Sequence, residues 1–120
     1  MERLKRRASF KAVAGGRRTA RTGFVLQALS NKDSEAAAGA RVGVTVTRKT
    51  GNAVERNRIR RRLREAVRKA AGHAVAGTDY VVVGRRAALT LPFERLVTDL
   101  MSGFDALAVG DRPKTGSDAR

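Results

Sequence analysis

The sequence predicts an α/β chain, specifically a two-layer α+β sandwich with helices packed on a small mixed sheet. Three observations predict it. Residues Arg41 to Thr47 alternate strictly between apolar and polar side chains. An arginine-dense run near residues 52–71 keeps an apolar stripe at helical spacing. A second amphipathic helical pattern follows residues 93–107. The expected order is α-β-β-β-α-β-α.

In chain order, Ala8 to Ala14 reads as a short helix, with Phe10 and Val13 on one face and Gly15-Gly16 stopping it. Glycine just past a helix end supplies the left-handed turn. Arg17–Thr22 reads as a short strand and Gly23–Ser30 as a second. Residues 31–39 are small and polar, a hairpin connection. In Arg41–Thr47, a period of two puts Val42, Val44 and Val46 on the core face. Arg41, Gly43, Thr45 and Thr47 then share the other face, which suits either RNA or plain water.

The arginine helix is expected over Asn52–Ala71. Asn52 and Glu55 have capping-box spacing. Ile59, Leu63, Ala66, Val67 and Ala70 form one stripe. At 100° per residue, Asn57, Arg61, Arg64 and Arg68 fall nearly opposite, Arg60 lies between the two groups, and Arg58 and Arg62 line the other flank. Asp79–Arg85 is a mostly apolar run, expected as a central strand. Thr90-Leu91-Pro92 opens the last helix, with proline tolerated in its first turn. Phe93, Leu96, Val97, Leu100, Met101, Phe104 and Leu107 make its core stripe.

The 120 residues fit one domain, expected over 1–109, followed by a disordered tail over 110–120. There is no cysteine, so disulfides and thiolate metal sites are excluded. No apolar run approaches the ~20 residues of a membrane span, and the start lacks a secretory pattern. A cytoplasmic setting without membrane contact is the expectation.

Net charge is +15, from 26 basic and 11 acidic residues. Residues 48–69 carry ten basic and two acidic side chains, and residues 1–21 carry eight basic and one acidic. These two stretches hold the whole excess, leaving a neutral scaffold. Solvated helices usually alternate signs to gain i,i+4 pairs, and the arginine run does not. A polyanionic partner, nucleic acid before an anionic membrane, is implied.

Catalytic groups are missing. His73 is the only histidine and sits in a glycine-flanked loop with no expected partner. Asp99 and Asp105 are six apart on the last helix and do not share a face. Glu55 and Glu65 lie among arginines, where capping or i,i+4 roles explain them. No Mg²⁺-type carboxylate cluster or phosphate-cradling glycine loop is present. No residue is assigned as catalytic and none as a metal ligand.

The stretch Arg48-Lys49-Thr50-Gly51-Asn52-Ala53-Val54-Glu55-Arg56-Asn57-Arg58-Ile59-Arg60-Arg61-Arg62-Leu63-Arg64-Glu65-Ala66 resembles the signature of the bacterial ribonuclease P protein component. Arg3-Leu4-Lys5 with Ser9-Phe10, Gly23-Phe24-Val25-Leu26, Arg41-Val42-Gly43-Val44 and Asp79-Tyr80-Val81-Val82-Val83 resemble that family's other segments, in the right order over about residues 3–107.

The resemblance implies a subunit of a ribonucleoprotein that removes the 5′ leader of precursor tRNA. It implies that catalysis resides in the RNA subunit, that Mg²⁺ serves the RNA-containing holoenzyme and that the protein alone binds no cofactor. The partners implied are the catalytic RNA and precursor tRNA, with no obligate protein partner. It implies a left-handed crossover around the arginine helix, against the usual right-handed rule. By position, Asn57, Arg58, Arg60, Arg61 and Arg64 would face the catalytic RNA, with Arg56 ordering the helix start beside them. Phe10, Lys11, Arg41, Thr45, Thr47, Arg48 and Lys49 would line the leader cleft. Ala14 and Gln27 stand where the family often has aromatics. Stacking is worth ~1–3 kcal/mol per base, so leader preference would shift toward backbone contacts.

The alternatives are a small ribosomal-RNA-binding protein, a DNA-binding regulator and a free nuclease. Recognition helices usually offer Asn, Gln and Ser beside Arg for base edges, and this helix is arginine-saturated. A free nuclease lacks its active-site residues here. The Arg56-Asn57-Arg58 signature separates the chain from ribosomal proteins.

Overall fold

The computed structural model describes residues 2–3, 16–30 and 39–110. Its strands are β1 (Glu2–Arg3), β2 (Arg17–Ala20), β3 (Phe24–Ser30), β4 (Arg41–Thr45) and β5 (Thr78–Gly84). Its helices are α1 (Ala53–Ala70) and α2 (Phe93–Gly110). Short 3-10 turns occupy Arg48–Thr50, Ala71–His73 and Arg86–Leu89. The helix expected over 8–14 lies outside the described residues, as do residues 31–38 of the connection expected over 31–39 and residues 111–120.

The sheet is mixed, in the order β1-β4-β5-β3-β2. β2–β3 and β3–β5 are antiparallel, and β4–β5 and β1–β4 are parallel. The apolar run Thr78–Gly84 is thus the central strand, as its continuous hydrophobicity predicts. β1 is an addition the sequence did not signal, because two residues carry no periodicity. β4 stops at Thr45 rather than Thr47. Val46 is nonetheless buried against the core, and Thr47 is exposed.

Both helices cover one sheet face. Phe24, Leu26, Ala28, Val42, Tyr80 and Val82 meet the α1 stripe Ile59, Leu63, Ala66, Val67 and Ala70, and the α2 stripe Leu96, Leu100, Phe104 and Leu107. Tyr80 and Phe104 pack edge-on, with centroids 4.7 Å apart and planes at 72°, the arrangement that ring quadrupoles favour. The Tyr80 hydroxyl accepts a hydrogen bond from Val75 N at 3.0 Å, so its polar end is satisfied inside the core.

Gly84 sets how closely α1 approaches. A Cβ there would sit 2.7 Å from Ile59 Cγ2, 3.0 Å from Val46 Cγ2 and 3.1 Å from Leu63 Cδ1. The helix therefore rests on bare backbone at the end of β5. Strand register puts Val25, Gln27, Leu29, Gly43, Thr45, Val81 and Val83 on the opposite face, with Arg41 and Asp79. The alternation read from Arg41–Thr45 holds. Val42 is buried and Val44 packs against the core, while Thr45 points to the far face.

Candidate nucleic-acid interface

Side-chain capping fixes the start of α1. Asn52 Oδ1 accepts from Glu55 N at 2.8 Å, and Asn52 N donates to Glu55 Oε1 at 3.0 Å. This is the reciprocal pair that the Asn52–Glu55 spacing predicts. Arg86 completes it from across the fold. Its guanidinium donates to Glu55 Oε1 at 3.1 Å, to Glu55 Oε2 at 2.8 Å and to the Thr50 carbonyl at 3.1 Å. The Arg86 hydrogen bonds, helped by the Asn52 N–H, hold the Glu55 carboxyl down at about 2. The same contact raises the Arg86 guanidinium above its usual value. Gly51 makes room for the network, since a Cβ there would lie 2.5 Å from Glu55 Oε1 and 2.9 Å from Arg86 Nη1. Arg56 adds a bond from Nη1 to the Gly51 carbonyl at 3.1 Å, which orders the loop entering the helix.

Beyond this start, α1 divides its cations by direction. The docked stripe leaves Asn57, Arg58, Arg61, Arg64, Arg68 and Lys69 exposed, with Arg60 half-buried on the boundary. Glu65 pairs with Arg68 at 3.4 Å, an exposed contact of small weight. Val54, 78% exposed, is the one large apolar side chain on the open side of the first turn. Arg62 behaves differently from its flank neighbour Arg58. Its guanidinium reaches away from the open face to the Ala88 carbonyl at 2.5 Å and the Leu91 carbonyl at 2.7 Å. It joins α1 to the Arg86–Leu89 turn.

The cleft residues divide as well. Thr45 is half-buried on the face turned from the helices; Thr47, Arg48 and Lys49 are exposed just beyond β4. Thr47 and Thr50 hydroxyls lie 3.2 Å apart. Arg41, in register with Asp79, forms a two-pronged bond to it, Nε to Oδ1 at 2.8 Å and Nη2 to Oδ2 at 2.7 Å. Its charge is thereby neutralised within the sheet. Gln27 lies on the same face, half-buried and in register with Val81. Phe10, Lys11 and Ala14 lie outside the described residues.

Sequence reasoning missed three groups. Arg86 was unplaced because its partner Glu55 is 31 residues away. Arg62 looked like any other flank arginine. Asp79 was read only as the start of a strand, although an acid in line with Arg41 was a usable signal for a cross-strand pair. One expectation is corrected. His73 has a partner, its Nδ1 lying 3.0 Å from Asp105 Oδ1, because the turn ending α1 falls beside the last turns of α2. Among the described residues, no three His, Cys, Asp or Glu side chains gather as a metal-ligand group, and no helix is long and apolar enough to cross a membrane.

A helix docked by one stripe, with arginines and an asparagine left outward on a neutral scaffold, defines a small basic RNA-binding protein. Comparison with known proteins makes the class specific. Residues 1–108 match the family described as Ribonuclease P. The ribonuclease P protein component of Paramagnetospirillum magneticum is 49% identical over 107 residues, spanning 87% of this chain and 80% of its own length. That of Gluconacetobacter diazotrophicus is 51% identical over 100 residues, spanning 82% of this chain and 84% of its own. The structure of the Staphylococcus aureus RNase P protein superposes with a TM-score of 0.72 at 29% identity, covering 91% of this chain and 97% of that one. That of the Thermotoga maritima protein gives 0.69 at 28% identity, covering 85% and 94%. This chain belongs to the ribonuclease P protein component family, whose members are subunits of the ribonucleoprotein endoribonuclease that matures the 5′ end of tRNA.

Proposed function

We propose that this chain grips the catalytic RNA of ribonuclease P through the outward face of α1, with Asn57, Arg58, Arg60, Arg61 and Arg64 in contact, and that the protein itself breaks no bond. The observation that carries this reading is the division of α1. Its apolar stripe is wholly buried while Arg58 and Arg61 stand exposed with no hydrogen-bond or ion-pair partner among the described residues. Guanidinium groups held on a rigid rod suit phosphates at fixed spacing. Arg56 acts through the loop it orders. The Mg²⁺ requirement is assigned to the RNA.

Precursor tRNA is the second partner. Its leader is assigned to the sheet face turned from the helices, lined by Thr45, Thr47, Arg48 and Lys49 and completed by Phe10 and Lys11. Arg41 enters that lining already bound to Asp79, so its share is to hold the strand rather than to bring charge. The substrate implies a cytoplasmic setting.

The test is direct. Arg58→Ala with Arg61→Ala lowers affinity for the catalytic RNA by tenfold or more (~1.4 kcal/mol per decade) and leaves circular dichroism unchanged. Unchanged affinity would take α1 out of the interface. Phe10→Ala weakens leader-bearing precursor more than mature tRNA, and equal effects on both would remove Phe10 from the cleft.

A further inference from the structure

One end of the sheet carries a row of cations of which the reading above uses only Arg48 and Lys49. β4 and β5 are parallel and finish together, Thr45 beside Val83, and Gly84 lies beside Phe24 at the start of β3. Arg48 and Lys49 follow β4, Arg85 and Arg86 follow β5, and Arg21 lies in the turn joining β2 to β3. Hydrogen bonds connect the row. Arg86 reaches the Thr50 carbonyl at 3.1 Å, Arg85 N donates to the Gly23 carbonyl at 2.9 Å, and Arg85 Nη1 donates to the Arg21 carbonyl at 3.0 Å. Arg95, on the first turn of α2, extends it with a bond to Thr22 Oγ1 at 3.4 Å. Neighbouring strands lie ~4.8 Å apart, so the row spans about 14 Å from β4 to β2.

We infer that this rim is a second docking track for an RNA sugar–phosphate backbone, continuing from the start of α1 around the end of the sheet. The inference rests on the ribonuclease P reading, which supplies the RNA.

The way the arginines are held carries the argument. Arg86 pairs with Glu55 and Arg95 with Asp99. Among the described residues, Arg21 and Arg85 are held only by neutral acceptors: Ser102 Oγ at 3.2 Å, Thr19 Oγ1 at 2.7 Å and the Ala20 carbonyl for Arg21, and the Arg21 carbonyl for Arg85. Arg48 and Lys49 are exposed, without a carboxylate partner among the described residues. Arg21 and Arg85 are therefore fixed in place while their charge stays uncompensated. A merely solvated rim would leave long side chains mobile or paired with acids. Cations pinned one strand apart repel one another, and a bound polyanion relieves that repulsion.

The phosphate backbone could belong to the catalytic RNA or to precursor tRNA, and a salt series separates them. Arg21→Gln with Arg85→Gln is compared with the parent chain in two arms: binding to the catalytic RNA alone, and binding of precursor tRNA to the assembled holoenzyme. Each lost phosphate contact flattens the slope of log K against log salt by ~0.7–0.9. The expected result is a slope shallower by about 1 to 2 in one arm, which names the RNA. Arg21→Lys with Arg85→Lys keeps the charge and retains the parent slope. Arg85→Gln alone spares the side-chain bonds that Arg21 makes and carries the test if the double variant loses its fold. Parent slopes in both arms for the Gln variants, while Arg58→Ala with Arg61→Ala still flattens the first, would overturn the rim and leave the α1 reading intact. If the α1 variant also keeps the parent slope, the proposed function fails and the rim falls with it.

Discussion

Glu55 and Arg86 show how one side-chain contact organises the start of the helix that faces RNA. Glu55 closes the cap on Asn52, and Arg86 ties both to the Thr50 carbonyl. The Glu55 carboxyl is depressed from 4.5 to about 2. For a depressed carboxyl, the stabilisation is fully present above the unfolded value and is lost as pH falls through the folded one. The clamp is thus intact at neutral pH and weakens between about 4.5 and about 2. A carbon-13 titration of the Glu55 carboxyl should find its midpoint well below the ordinary glutamate value of 4.5, and Arg86→Ala should raise it toward that value. A Glu55 midpoint already near 4.5 in the parent chain would remove the clamp. The Asn52–Glu55 pair was legible because capping chemistry is local. The Arg86 contact was not, because only the fold sets which distant cation arrives. Arg41 shows the same limit. Sequence alternation put it on the correct face, yet only strand register revealed that Asp79 neutralises it.

At the scale of elements, α1 has two kinds of arginine. Arg62→Ala deletes bonds to two partly buried carbonyls, a loss on the order of 1–3 kcal/mol in urea denaturation, and should leave affinity for the catalytic RNA near that of the parent. Arg58→Ala should do the reverse. Identical profiles for the two variants would contradict the division drawn here. Gly84→Ala should also destabilise the protein, by about 1–3 kcal/mol, because the added methyl group meets Ile59, Val46 and Leu63. Periodicity made the α1 and α2 stripes readable. The residues Ile59, Leu63, Leu96, Leu100 and Phe104 are all fully buried, as their spacing requires. Arg62 escaped, because a helical wheel shows which way a residue points but not what another element places there. The 3-10 turn at Arg86–Leu89, which receives it, has no periodic signal of its own.

For the whole molecule, charge distribution and fold address the same partner. A compact mixed sheet holds two helices on one face, and the cationic surplus lies on α1, at the sheet end and in the basic segment before β2. Composition alone reached a polyanion; the signature around Arg56-Asn57-Arg58 narrowed it to ribonuclease P, and the match over residues 1–108 places the chain in that family. The order of strands across the sheet was not readable, because β4 and β5 pair across the whole of α1 and no local pattern encodes that pairing. Steep weakening of assembly with salt is expected from so concentrated a charge. The account stands most directly on reconstitution: the purified chain, freed of nucleic acid, is added to a bacterial ribonuclease P RNA at limiting Mg²⁺, and cleavage of precursor tRNA at the mature 5′ end is followed. The account predicts that the mixture cleaves while neither component does so alone. Cleavage by the RNA-free chain, or no gain on mixing the two, would contradict it.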